Sequence, residues 1–471
     1  MTTPAAIVRT YLAISGLFTL AASVIWGVNT LFLLDAGLDI FQVFIASGAF
    51  TAGMMLFEIP TGVVADTSGR RRSFLLSNLT RLLGTLGYVA IAALGGGLVW
   101  FVANSLVVGL GFSFYSGAVE AWLVDALKAT GHHGQLERVF ARGQMVSGAA
   151  MLVGSVGGGL LGNLDLAWPF LVRALLLGAV FVVGLAAMHD VGFTPRTTGL
   201  AAMPGEMRRV LHTSLAFGWR ARPIRLLMLV WLVQGMFTIW SWSARQPYLL
   251  GLLGRDAVWV AGVVAALTAL ATIAGNVLVE VLTRFCGRRT TLLLAAMAAL
   301  AAATVGVGLA GSFGAVVVLL LALSAAQGVV MPIQQAYLHE VVPSAQRATV
   351  VSSVSLVSSA GGVAGQLGLG WIARAQSLAA GYLAGGLAML LALPPLLLLR
   401  RMGSRADVIV GRRAGTRGPC AAQGLPVVAS VDTLPRREHP PVVLEPRPGC
   451  EHERSDVAAR EGPAMVEEGP R

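Results

Sequence analysis

Charge is scarce in this chain. Of its 471 residues, 12% are Asp, Glu, Lys or Arg, about half the share in a soluble globular domain. Lysine is nearly absent: Lys128 is the single one, and arginine supplies the rest of the 34 basic residues. The three cysteines, Cys286, Cys420 and Cys450, are too sparse for a disulfide framework. Sustained apolar–polar alternation is missing, which excludes a membrane β-barrel. No G-x-x-x-x-G-K-[ST] loop occurs, so ATP drive is not encoded. The surplus of +11 charges is scattered rather than gathered into a basic stripe, so nucleic acid is not an expected partner.

What is abundant is apolar: 56% of the residues are hydrophobic, and the mean hydropathy is +0.74. Long charge-free runs mark helical membrane spans of about 20 residues each. Two runs are too long for one span. Leu82–Val119 breaks at Gly95-Gly96-Gly97, and Thr290–His339 at Gly311-Ser312-Phe313-Gly314, because glycine clusters mark turns. Twelve spans result, near residues 10–34, 41–63, 74–94, 98–122, 139–163, 167–188, 224–250, 257–283, 290–310, 314–338, 347–373 and 376–399. The first run lacks an A-x-A-like cleavage site and is longer than a signal-peptide core, so it is read as a span.

Arginine placement then sets the orientation. With the N-terminus inside, 17 basic residues of the first 399 fall on the inner side, against four outside (Arg173, Arg245, Arg255 and Arg374), while Arg81 lies within the third span. By the positive-inside rule both termini face the cytoplasm, and the plasma (inner) membrane is the expected location. The expected organisation is a six-helix half over 1–190, a cytoplasmic loop over 191–222, a second six-helix half over 223–399 and a disordered tail over 400–471. The loop carries Met207-Arg208-Arg209-Val210-Leu211, a short amphipathic stretch suited to a membrane surface. The tail holds nine Pro, eight Gly, 12 Arg and 10 acids, a composition that cannot bury a core.

Between the second and third spans stands Gly62-Val63-Val64-Ala65-Asp66-Thr67-Ser68-Gly69-Arg70-Arg71-Arg72. This resembles the G-x-x-x-D-x-x-G-R-R signature of the major facilitator superfamily, in the loop where that family carries it. Gly62 permits close helix approach, Gly69 a tight turn, and Asp66 can meet arginines or a helix N-terminus. A weaker copy, Gly287-Arg288-Arg289, follows the eighth span, with Arg284 where the copy would need Asp. Glu137-Arg138 is likewise echoed by Gln346-Arg347. Such offsets suit two homologous six-helix halves.

The resemblance implies an all-α polytopic transporter with alternating access, and no enzyme. Gly154-Ser155-Val156-Gly157-Gly158-Gly159 is similar to the G-P-x-x-G-G element of drug/proton antiporters, with Ser155 in the proline position; plain helix packing through Gly154, Gly157 and Gly158 is the competing reading. Many antiporters carry an Arg in the fourth span where this chain has Val107. Together with Phe57-Glu58-Ile59-Pro60 and Gly117-Ala118-Val119-Glu120, these elements look like a bacterial multidrug-like branch.

Asp66, Arg70, Arg71, Arg138, Arg142 and Arg347 share the inner level, where acids of one half pairing with arginines across the bundle would form a gate. Glu58, Glu120 and Asp125 are the proton-coupling candidates, since two carboxylates in low dielectric resist carrying both charges. By this count no charged residue falls near the midplane. Trp26, Asn29, Ser113, Tyr115, Gln234, Trp240, Trp242, Gln327 and Gln334 are the expected cavity residues, and aromatic walls with a few amides suit an amphipathic, weakly charged ligand. Arg245 would meet an anionic group at the outer mouth, or serve as an interfacial anchor.

The expected task is proton-coupled efflux of such a compound. Uptake of a neutral nutrient, or a membrane sensor acting through the tail, are the alternatives. No cofactor or metal is expected; the partners are the small-molecule substrate, the proton and the lipid bilayer, and the chain is expected to act as a monomer.

Overall fold

In a computed structural model, the described residues are 3–115, 117–131, 135–193, 205, 221–254, 257–342 and 347–409. The Met207–Leu211 stretch and residues 410–471 lie outside them. Twelve helical segments are long and apolar enough to cross a membrane. The chain builds them from α1 (Pro4–Ser23), α2 (Asn29–Asp35), α3 (Ile40–Ser68), α4 (Arg70–Ala93), α5 (Leu98–Tyr115), α6 (Ala118–Ala129), α7 (Leu136–Leu164) and α8 (Trp168–Ala187) in the first half. The second half holds α9 (Arg222–Leu253), α10 (Val258–Phe285), α11 (Arg289–Leu309), α12 (Phe313–Val341), α13 (Arg347–Ala375), α14 (Leu378–Met389) and α15 (Leu393–Arg401).

Local chemistry explains the ends. Asp39 accepts from the Gln42 N–H while Gln42 reaches back to the Asp39 N–H, both at 2.9 Å, a reciprocal cap on α3. Ser312 and Ser377 cap α12 and α14, and α1, α8 and α9 open with proline in the first turn, where its missing N–H costs nothing. The turns fall at Gly95 and at Ala310–Ser312, as the glycine clusters require. Three expected spans are interrupted. The first breaks between Ser23 and Asn29, the fourth between Tyr115 and Ala118 with Gly117 at φ 70°, and the twelfth at a 3₁₀ turn over Leu390–Ala392.

Each half has its own apolar core. Ile14, Phe18, Phe74, Trp122 and Leu123 centre the first, and Leu227, Leu293, Leu320, Tyr337 and Leu396 belong to the second. A third cluster draws on both halves: Val28, Phe32, Val43 and Phe170 pack with Leu250 and Val258. That shared cluster lies at the face opposite the Gly69 turn, the far face; the face bearing the turn is the motif face.

The tail does not begin at residue 400. Helix α15 continues to Arg401, and Arg405–Asp407 form a 3₁₀ turn whose Asp407 is buried. This turn is held against the start of α11: Asp407 accepts from the Thr290 N–H at 2.7 Å and from its hydroxyl at 2.8 Å. Composition points to disorder from residue 400 onward because it averages over the whole segment; one buried capping carboxylate is enough to anchor the segment's first ten residues.

Candidate functional site

The motif turn is organised by a residue the motif does not contain. Gly69 sits between α3 and α4 at φ 106°, a conformation costly for any residue with a Cβ. A Cβ there would strike the carboxylate of Asp190, which lies just past α8. That carboxylate accepts from the Arg71 N–H at 2.9 Å, and the Arg71 Nη2 donates to the Leu185 carbonyl at 2.6 Å. Asp190 thus fills one of the orphan donors at the α4 N-terminus. Asp407 does the same for α11, so the two halves repeat the device. The sequence signal for Asp190 was an acid directly after a span, which topology reasoning reads as an ordinary loop charge.

Asp66 pairs with Arg70 at 2.7 Å, one turn on and within the same half. Arg138 is exposed. Arg347 opens α13, and its side chain lies outside the described residues. Gly62 is exposed, and a Cβ on it would meet nothing, so close approach is not its role. The close approach of α3 to α5 is made instead by Gly53 and Gly109, where a Cβ on Gly109 would lie 3.0 Å from Cα of Gly53.

The glycine run of α7 divides similarly. Gly154 and Gly158 press on α1 and its break, with Gly158 against the Val24 carbonyl. Gly157 faces open space, which corrects the expectation of packing there; Gly159 takes that part, with a Cβ 3.1 Å from Cα of Gly262 on α10. The sequence could not separate these glycines because their roles depend on which face of α7 meets α1 and which meets α10.

Among the described residues, contacts joining the halves gather toward the far face. Gln246 of α9 accepts from the Thr30 N–H at 2.9 Å and donates to the Trp26 carbonyl. Thr30 donates to the Ser243 carbonyl at 2.9 Å. Trp26 and Trp242 meet edge-on at 5.3 Å between centroids, and Arg374 faces Asp39 at 3.6 Å. Helices α7 and α10 touch at Gly159 and Gly262, then part. Toward the motif face Arg142, Gln144, Met145 and Val146 of α7 are exposed, as are Asn276, Val277, Leu278, Glu280 and Val281 of α10. Each stretch keeps a packed side on its own half, Gly143 against Tyr11 and Gly275 against Ala325, while the close contacts of α7 with α10 lie at Ser155, Gly159 and Gly262.

The expected cavity residues separate into groups. Trp240 is fully buried among Phe44, Phe237 and Tyr382; it is core, not cavity wall. Gln334 is buried and donates to Gln234 at 2.9 Å, while Gln327 donates to Thr238 at 3.1 Å. Both bonds fasten α12 to α9, so these amides are spent on helix packing. Ser113 likewise donates to the Met54 carbonyl at 2.9 Å. Trp26 and Asn29 are half-buried at the α1 break, and Trp242 is 45% exposed. Arg245 donates from Nη1 to Thr268 at 2.9 Å and leans over Trp242 at 5.7 Å. A cavity of about 640 Å³ opens at the far face, lined by Leu31, Asp35, Gly162, Pro247, Leu250 and Val258 among others, and none of the expected residues lines it.

The carboxylates also separate. Glu58 is half-buried near Pro60 of α3. Glu120 is exposed in the first turn of α6, and its charge reaches Tyr11 and Tyr115. Asp125 is half-buried one further turn along.

One charged residue overturns the expectation of an uncharged centre. Arg81 is the twelfth residue of α4's 24, about 17 Å from its motif-face end at the helical rise, and it is fully buried. Its position within the third span is plain from the sequence; its depth emerges only once the ends of α4 are known.

A model of the Major Facilitator Superfamily matches residues 11–257 and 256–433. An uncharacterized MFS-type transporter, YxaM of Bacillus subtilis (strain 168), is 22% identical over 242 residues, 50% of this chain and 56% of that protein. A quinolone resistance transporter of Acinetobacter baumannii is 28% identical over 154 residues, 31% of this chain and 33% of that one. The matched stretch thus spans about half or less of these relatives' length. Among solved structures, the nucleoside transporter NupG has a TM-score of 0.69 at 9% identity, covering 84% of this chain and 99% of its own. The POT family transporter PepTSo has a TM-score of 0.65 at 14% identity, covering 84% and 98%. These structures share the fold. The chain belongs to the major facilitator superfamily, whose members are secondary transporters.

Proposed function

We propose that this member of the superfamily exports a small amphipathic, weakly charged compound across the plasma membrane, with protons entering in exchange. The observation that carries the reading is the unequal contact between the halves: joined near Gln246, Trp26 and Gly262, parted between α7 and α10 toward the motif face. Two halves that can rock about a shared centre give alternating access. With arginines concentrated on the motif face, that face is cytoplasmic under the positive-inside rule, and the conformation is inward-open.

Export is favoured by the resemblance to drug antiporters and by the similarity to the quinolone resistance transporter of Acinetobacter. Glu58 and Glu120 are the protonatable groups on the cytoplasmic side. Acids of the first half, Asp66 and Asp125, exchange partners with Arg138 and Arg347 as the gate closes; in the open state Asp66 is seen with Arg70 at 2.7 Å.

The test is expression in a pump-deficient bacterium beside Asp66→Asn, with a panel of dyes and quinolones. Resistance that disappears in the variant supports export; sensitivity equal to the empty vector across the panel overturns it. For coupling, transport by Glu58→Gln and Glu120→Gln is followed against pH. Wild-type rates with unchanged pH dependence in both would remove the two carboxylates from the proton path.

A further inference from the structure

Arg81 is a fully buried cation whose hydrogen-bond donors are unfilled. Among the described residues Nε, Nη1 and Nη2 all lack a hydrogen-bond partner. The guanidinium carbon lies 4.1 Å from the ring centroid of Phe18 on α1 and 4.4 Å from that of Phe112 on α5. Room for the stem is provided by Gly111, where a Cβ would fall 2.7 Å from the Arg81 Cγ. A like charge acts on it, that of Arg173 of α8, itself buried with an unpartnered Nε.

Aromatic faces recover part of the cost of burying a guanidinium, but they leave its in-plane N–H donors empty. An ionisable residue in the membrane interior is expected to have a partner. The described residues supply none among their hydrogen-bonding groups, which leaves room for a partner from outside. The surroundings define its shape. The fork presents parallel donors of the kind that grip a carboxylate in two places, and the rings of Phe18 and Phe112 that sandwich it make its surroundings apolar and aromatic. Tyr115 stacks on Phe18 at 3.7 Å, on the face opposite the guanidinium. It is the last residue of α5, just before Gly117 at φ 70°, where the span is interrupted. Beyond the interruption, Glu120 is exposed in the first turn of α6. Phe18 and the phenol stacked on it thus stand beside Arg81 next to the interruption of the span.

We propose that Arg81 is the anion-reading residue of the transport site, and that the cargo is an aromatic compound carrying a carboxylate. This rests on the reading of the chain as a small-molecule exporter and narrows its substrate class.

The experiment compares 2-naphthoate with uncharged 2-naphthamide on the purified full chain in lipid nanodiscs, followed by quenching of tryptophan fluorescence. Wild type should bind the carboxylate about ten- to a hundredfold more tightly, the range of a hydrogen bond to a charged group. Arg81→Gln should abolish that preference, with its fold checked by the thermal unfolding midpoint; Arg81→Lys should retain part of it. Equal binding of both compounds by wild type, or a preference that survives Arg81→Gln, overturns the proposal. If Arg81→Gln does not fold, the wild-type comparison and Arg81→Lys decide alone. Sodium sulfate is a further arm: competition as effective as that of naphthoate would assign the site to an inorganic anion and overturn an aromatic cargo. A preference for naphthoate without any resistance phenotype in cells supports the anion site and overturns export; resistance without an anion preference does the reverse.

Discussion

The carboxylate of Asp190 accepts a hydrogen bond from the backbone N–H of Arg71 at 2.9 Å, across 119 positions of sequence. It ties the exit of the sixth span to the entry of the third, and Asp407 ties the exit of the twelfth to the entry of the ninth at Thr290. In both halves a residue outside the recognised motif satisfies the helix terminus that the motif creates.

Loss of this cap should be measurable as stability. Asp190→Ala and Asp407→Ala should each cost about 1–2 kcal/mol, the usual value of an N-cap, read as a lower thermal unfolding midpoint in detergent. Asp190→Asn, which keeps an acceptor, should cost less. Gly69→Ala should remain destabilising even beside Asp190→Ala, because relieving the clash leaves the positive φ, worth about 1–2 kcal/mol for a residue with a Cβ.

The adjacent glycines of α7 should behave oppositely. Gly157→Ala adds a methyl to open space and should leave expression and stability at wild-type levels. Gly158→Ala drives a methyl into the Val24 carbonyl and should cost about 1–3 kcal/mol, the range for overpacking. Similar outcomes for both would mean that α7 does not pack on α1 through this face.

Gln246 bridges the halves at Trp26 and Thr30. Gln246→Ala strips partners from the buried Thr30 N–H, a loss of about 1–3 kcal/mol suffered only while the far face is closed. A cysteine placed at Leu31, beside the far-face cavity, should then react faster with a water-soluble maleimide. An unchanged rate would show that these bonds do not hold that face shut.

The contact of Gly159 with Gly262 exists only where α7 and α10 touch. Gly159→Val should wedge them apart at the far face and disfavour the inward-open state. A cysteine at Met145, 68% exposed on α7 toward the motif face, should then be labelled more slowly and transport should fall. Labelling at the wild-type rate with transport intact would contradict a rocking motion about this contact.

Much of the architecture was legible in the sequence. Charge-free runs and glycine clusters gave the positions of the spans, since a helix in lipid must be apolar and must satisfy its own backbone. The motif around Asp66 and Gly69 identified the family before any coordinate. The site was less legible. Gln327, Gln334 and Trp240 read as polar or aromatic cavity residues because residue type and depth were the only guides. The structure shows the glutamines joined to α9 and the indole enclosed by Phe44, Phe237 and Tyr382.

The physical difference is one of range. Hydropathy, caps and glycine turns act within a few residues, so the amino-acid sequence by itself determined that the chain crosses a membrane as twelve helices and where each one turns. Which side of a helix meets which neighbour is settled by packing between segments a hundred residues apart. Only the tertiary structure could therefore decide that Gly159 rather than Gly157 touches the other half, that Asp190 caps α4, and that Arg81 stands at mid-depth between two phenyl rings with its donors unfilled.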